Sequence, residues 1–208
     1  MPKVTEAYRE ARRNQILDAA VACFVRNGIH ASTMADVIAE SGLSSGAIYD
    51  YYGSKQELVL AAVRREGAGR AAAIDAAGQD APIPPSGVLR ILDDAFLRQP
   101  NAPTIVLQLW SEAATDPAFA EIANSAFGEL SRAFRRPLVH WAREHYGLDD
   151  DAATEWAERL LPTMVALSQG LVVQKTIVPG FDRERYFAGI DQLFDQRVTS
   201  PDPAGSRY

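Results

Sequence analysis

The chain has 208 residues, 47% hydrophobic and 23% charged, with a formal net charge of −6, an ordinary globular composition that suits one large domain or a small one joined to a larger one. A single cysteine, Cys23, excludes an intramolecular disulfide framework. No apolar run nears the roughly 20 residues that cross a bilayer, and Met1–Glu6 lack the apolar core of a signal peptide, so a soluble cytoplasmic protein is expected.

Almost every long segment reads as helix. Ile16, Ala20, Cys23, Phe24 and Asn27 recur at spacings of three and four, and Gly28 stands where a C-terminal cap belongs. Thr33-Met34-Ala35-Asp36 is a capping-box variant that opens a short second helix ending at Ser41-Gly42. Ser44 or Ser45 caps a third helix running through Ile48 to Tyr52, and Ser54-Lys55-Gln56-Glu57 opens a fourth, much longer one. The Pro- and Gly-rich stretch 78–87 breaks the chain. Helices are then expected near 87–98 and 103–114, from Asp116-Pro117 toward Tyr146, over about 152–177, and from Asp182 to about Arg197. The tail from Thr199 reads as disordered. The fold class is therefore all-α, with a helix-turn-helix module over 1–55, a larger helical domain over 56–198 and a tail over 199–208.

The two short helices, joined by a glycine turn behind a longer helix, make a helix-turn-helix arrangement. Val37, Ile38, Leu43, Ile48 and Tyr52 are apolar where they would lock the pair together and onto the first helix. Ser45, Gly46, Ala47, Tyr49 and Asp50 are left outside, small or polar enough for close approach to base edges in a major groove. Tyr51 and Tyr52 read as core aromatics. Arg9, Arg12 and Arg13 read equally as a solvated face or as an arm on the DNA. Charge by itself does not suggest DNA: residues 1–55 hold six basic and six acidic side chains, and the remainder 15 and 21.

Ile16-Leu17-Asp18-Ala19-Ala20, Phe24, Gly28 and Thr33, followed by the unbroken run Gly42 to Leu58, resemble the tetracycline-repressor (TetR) family of bacterial regulators. The resemblance covers about the first quarter of the chain; beyond it, Gln108-Leu109-Trp110-Ser111-Glu112 and Gln169-Gly170-Leu171 agree more weakly with one C-terminal subtype. It implies that Thr33, Tyr49 and Lys55 hold phosphates while Ser44, Ser45, Gly46, Ala47 and Asp50 face the groove. Three positions depart from the family pattern, where Lys is common at Ser45, Thr at Ala47 and a non-acidic residue at Asp50. A lost lysine and a gained aspartate weaken phosphate attraction, but Asp can accept from a cytosine amino group, so a cytosine is expected under the third helix.

The resemblance further implies an effector pocket in the larger domain. Phe96, Leu107, Trp110, Phe127, Trp141 and Met164 are its apolar candidates, with Gln108 and Gln169 to orient a polar group; plain core is the competing reading of each. In the last two helices Leu160, Leu161, Val165, Ser168, Leu171 and Val172, together with Ile190, Leu193 and Phe194, form apolar stripes. These suit a four-helix interface in a homodimer, with burial inside one subunit as the alternative. A two-fold dimer implies a near-palindromic operator with half-sites about 34–36 Å apart.

No enzyme is expected. His140 and His145 flank Glu144 without the spacing of a His-Glu-x-x-His zinc site, and there is no glycine-rich phosphate loop, nucleophile elbow or Cys/His pair. Asp149–Asp151 reads as an acidic helix opening. No cofactor or metal is expected. The partners are double-stranded DNA, a small and largely apolar effector, and a second copy of the chain. Two alternatives stay open: a regulator whose C-terminal half only dimerises or docks a protein, and a small-molecule-binding protein that has lost DNA binding.

Overall fold

A computed structural model describes residues 5–67, 70–78, 81–97 and 101–194. All regular structure among them is helical: α1 (Glu6–Ala31), α2 (Met34–Ser41), α3 (Ser45–Tyr49), α4 (Lys55–Gly67), α5 (Arg70–Ala77), α6 (Pro85–Leu97), α7 (Ala102–Ala113), α8 (Pro117–Tyr146), α9 (Asp150–Ile177) and α10 (Arg183–Phe194). The fold class is the expected one. The tail expected to be disordered lies outside the described residues, as do the last positions proposed for the final helix.

Two boundaries differ from expectation. Gly28 does not end α1 but breaks it, with φ 83° and ψ 154°, and one further turn follows before Ser32. Ser32 closes that turn, its N–H and its hydroxyl both donating to the Gly28 carbonyl. The third helix stops at Tyr49 rather than Tyr52, because the Ile48 carbonyl accepts from both Tyr51 and Tyr52 N–H and tightens the chain into a turn. The fourth segment is described as α4 and α5, with residues 68–69 between them outside the described residues.

Packing divides the described residues into two compact units, one within 1–70 and 94–129, the other within 71–93 and from 130 onward. In the first, α1 buries Ile16, Ala20, Cys23 and Phe24 completely. Val37 of α2, Ile48 of α3 and Leu58, Val59 and Ala62 of α4 close over them, with Ile105 and Leu109 of α7 and Phe119 and Ile122 of α8. A helix-turn-helix alone buries too little apolar surface to hold itself, and this core extends through α7 and the start of α8. In the second unit Phe134 and Leu138 of α8 pack with Ile74, Val88, Leu89, Leu161, Met164, Phe187 and Ile190. There Asp93, only 3% exposed, accepts from Lys175 Nζ at 3.4 Å and from Arg183 Nε.

Candidate nucleic-acid interface

The reading pair is built from local bonds. The Thr33 hydroxyl accepts from Asp36 N–H at 3.2 Å, and the Asp36 carboxylate accepts from Thr33 N–H and hydroxyl, both at 2.8 Å. That completes the capping box expected at α2. These bonds, the hydroxyl first, hold the Asp36 carboxyl below its ordinary range. At the far end Gly42 takes φ 68°, the left-handed conformation that turns the chain most cheaply with glycine. Ser44 then caps α3, its hydroxyl accepting from Ala47 N–H at 3.3 Å. Ser54 accepts from Glu57 N–H at 3.2 Å to open α4, while the Glu57 carboxylate reaches back to Gly53 N–H at 2.8 Å.

This arrangement pins α3 by one side. Ile48 is fully buried, and Leu43, Tyr51 and Tyr52 lie half-buried against the same core. Ser44, Ser45, Gly46, Tyr49 and Asp50 are exposed, Ala47 is half-buried, and nothing lies within 4 Å of where a Gly46 side chain would begin. Thr33 is exposed at the start of α2. Of the eight residues expected at DNA, seven thus lie on the capped α2–α3 pair or its turn, and the eighth, Lys55, opens α4.

Lys55 also has a structural task. Its ammonium donates to the Ile29 and His30 carbonyls, each at 3.0 Å. The Gly28 break leaves Ile29 N–H without a helical acceptor, and Gln108 Oε1 of α7 accepts it at 3.0 Å. His30 Nδ1 stands 3.3 Å from Glu112 Oε2, one helical turn further along α7. The broken end of α1 is therefore held by α4 on its carbonyls and by α7 on its N–H. Gln108, considered for a pocket, is committed to this bond.

The arginines near the start lie on α1 itself. Arg13 pairs with Glu6 and Glu10 at 3.3 and 3.1 Å, and Arg12 donates to Gln15 and to Tyr8. Sequence reasoning missed two ties of the pair to α1, Gln15 Nε2 to the Ser41 carbonyl at 2.9 Å and Arg26 to Glu40 at 2.8 Å. Their spacings of 26 and 14 residues leave no local signal. Cys23 is a free, buried cysteine, and burial pushes its thiol up.

The remaining effector candidates fall in both units. In the first, Leu107, Trp110 and Phe127 are half-buried, and the Trp110 and Phe127 rings lie 6.2 Å apart. In the second, Met164 is fully buried and Trp141 nearly so, stacked on His145 at 4.4 Å, while Gln169 is half-buried. The side chain of Phe96 lies outside the described residues. Of the interface candidates, Leu161, Ser168, Leu171 and Ile190 are buried within the chain's own second unit. Leu160, Val165, Val172 and Phe194 are half-buried, and Leu193 is 66% exposed.

Residues 16–62 match the family described as bacterial regulatory proteins, tetR family. The uncharacterized HTH-type transcriptional regulator YfiR of Bacillus subtilis is 44% identical over 57 residues, which are 27% of this chain and 28% of that protein. Two further curated regulators are likewise matched over only 35% and 26% of their own lengths. The HTH-type transcriptional regulator BetI of Rhizobium meliloti is 28% identical over 186 residues, 85% of this chain and 83% of the relative. A transcriptional regulator from Saccharomonospora viridis, solved in complex with choline, shares the fold with a TM-score of 0.65 at 23% identity, over 90% of this chain and 97% of that one. The family match thus falls on the capped helix pair and the helices that flank it, residues 16–62.

Proposed function

We propose that the protein is a DNA-binding transcriptional regulator that docks α3 in the major groove of a palindromic operator as a homodimer, and that a small, largely apolar effector weakens this docking. The observation that carries the reading is the one-sided pinning of α3: Ile48 buried, and Ser45, Gly46, Tyr49 and Asp50 turned outward on a helix capped at its start. Thr33 and Tyr49 serve the phosphates, joined by Lys55, which has a third N–H beyond the two given to α1. Residues 1–55 supply the DNA-reading module and 56–198 the effector-binding and dimerising part. For dimerisation, the outward faces of α9 and α10 offer exposed Ile177 and Leu193 beside half-buried Val165 and Val172. For an effector, Leu107, Trp110 and Phe127 are accessible apolar side chains, and the Saccharomonospora relative of this fold binds choline. Among the described residues no helix is long and apolar enough to cross a membrane, in keeping with a regulator that works beside DNA in the cytoplasm.

The test is selection of bound fragments from random duplex DNA, followed by titration of the winning site against salt. A palindromic site whose affinity falls steeply with salt is the expected result. No enriched site at low salt would overturn the reading.

A second reading keeps the DNA binding and drops the effector. It is favoured by the commitments of Gln108, Trp141 and Met164, three pocket candidates already bonded or buried. Under it, no panel of apolar and cationic compounds, choline included, shifts melting temperature or operator affinity. Under the first reading at least one does, through a coupling of about 1–3 kcal/mol.

A further inference from the structure

We propose that Asp50 sets the base preference of α3, and that it does so by accepting a hydrogen bond from the exocyclic amino group of a cytosine. The inference rests on the DNA-reading function proposed above and names the chemistry of one contact within it. Between Thr33 and Glu57 the chain has four acidic side chains, and three are used by the fold. Asp36 closes the capping box with Thr33, Glu40 pairs with Arg26, and Glu57 takes Gly53 N–H. The Asp50 N–H donates to the Gly46 carbonyl at 3.0 Å, but its carboxylate has no partner among the described residues, and the residue is exposed. Its neighbours give it no packing role: Ile48, Tyr51 and Tyr52 face the core, and Tyr49 and Asp50 share the outer side with Gly46.

The position is also costly for the fold. Asp50 is the C-cap of α3, where the helix dipole disfavours an anion. On DNA it stands among phosphates that repel it. A carboxylate here lowers affinity for every sequence unless a donor meets it, and it therefore acts as a filter. Donors in the major groove are few. Adenine presents its amino group between its own N7 and the thymine O4, two acceptors that oppose a carboxylate on both sides. Cytosine presents its amino group beside a C–H on one side. With the space in front of Gly46 open, a short side chain one turn later can reach that edge.

The experiment runs the random-duplex selection on the wild type, Asp50→Asn and Asp50→Ala, with melting temperatures confirming that the three fold alike. The wild-type site should carry a cytosine at one position in each half. Asn should move that position to adenine, whose N6 and N7 it can meet together, and Ala should lose preference there alone. A wild-type site rebuilt with pyrimidin-2-one, which lacks the amino group, should bind the wild type about tenfold more weakly, the discrimination of one good base contact. It should leave Asp50→Ala unchanged. If all three proteins select one site with the same preference at every position, or if both variants simply bind all sequences more tightly, the inference is overturned while DNA reading stands. If none selects a site, the reading of function falls and takes this contact with it.

Discussion

The caps of the reading pair, in the first compact unit, and the cluster around Asp93, in the second, satisfy their polar groups over different distances along the chain. In the first, the bonds that shape the reading pair span three or four residues: Thr33 with Asp36, Ser44 with Ala47, Ser54 with Glu57. In the second, buried Asp93 gathers Lys175 and Arg183 from 82 and 90 residues away, Arg90 pairs with Glu184 at 2.7 Å, and Tyr186 donates to the Leu167 carbonyl at 2.6 Å. Short-range bonds can form as soon as each helix does and can be lost singly. The Asp93 cluster exists only once α6, α9 and α10 have packed, and then it is hard to dismantle in part, because a buried carboxylate left without cations has nowhere to discharge its solvation cost.

The apolar cores should not share this asymmetry. Phe24→Ala in the first unit and Phe134→Ala in the second each empty a fully buried site, and each should cost about 3–5 kcal/mol in urea unfolding. A large gap between them would mean that one core relaxes around a void and the other does not. The polar contrast appears next. Arg183→Ala should cost about 2–4 kcal/mol, less than for a wholly buried pair because Lys175 remains and the guanidinium is partly in water. A loss no greater than an exposed ion pair gives would erase the distinction between the units.

The break at Gly28 is one place where the first unit too reaches far along the chain, since Gln108 lies 79 residues from Ile29. Gln108→Leu orphans that N–H and should cost about 1–3 kcal/mol, while Gln108→Glu keeps an acceptor and should recover most of it. Amide exchange at Ile29 separates the two: it should quicken in the leucine variant and stay slow in the glutamate one. The smallest effect is acid-dependent. The folded-state pKa of Asp36 lies below its unfolded value, so its contribution is complete above the ordinary carboxylate range and is lost as pH falls through the folded value. Melting temperatures followed from about pH 6 down to about pH 3 should fall more steeply for the wild type than for Asp36→Asn. Parallel curves would remove Asp36 from the account.

The same difference in range explains what could be read without coordinates. Caps and turns announce themselves within four residues, so Thr33, Gly42, Ser44 and Asp116 marked the helix boundaries around them. The end of α3 was misplaced at Tyr52 because the two N–H groups that converge on the Ile48 carbonyl follow from geometry, not from residue type. Gly28 signalled a helix end, but whether the chain then leaves or resumes depends on acceptors that α4 and α7 bring from elsewhere. In α9 the stripe Leu160 to Val172 is wide enough to serve two faces. The pattern could not say that Leu161, Ser168 and Leu171 turn inward while Val165 stays half-exposed. For Gln108, Trp141 and Met164, apolar or amide character suits a pocket wall and a core equally.

One consequence of the way α3 is held concerns descent rather than stability. A single buried side chain, Ile48, anchors the helix, and the cap is a serine hydroxyl, so the outward positions answer to no packing constraint. Substitutions at Ser45 or Asp50 can accumulate without unfolding the module that carries them. Copies of such a gene could therefore diverge in the DNA they address long before they diverge in architecture, one outward residue at a time.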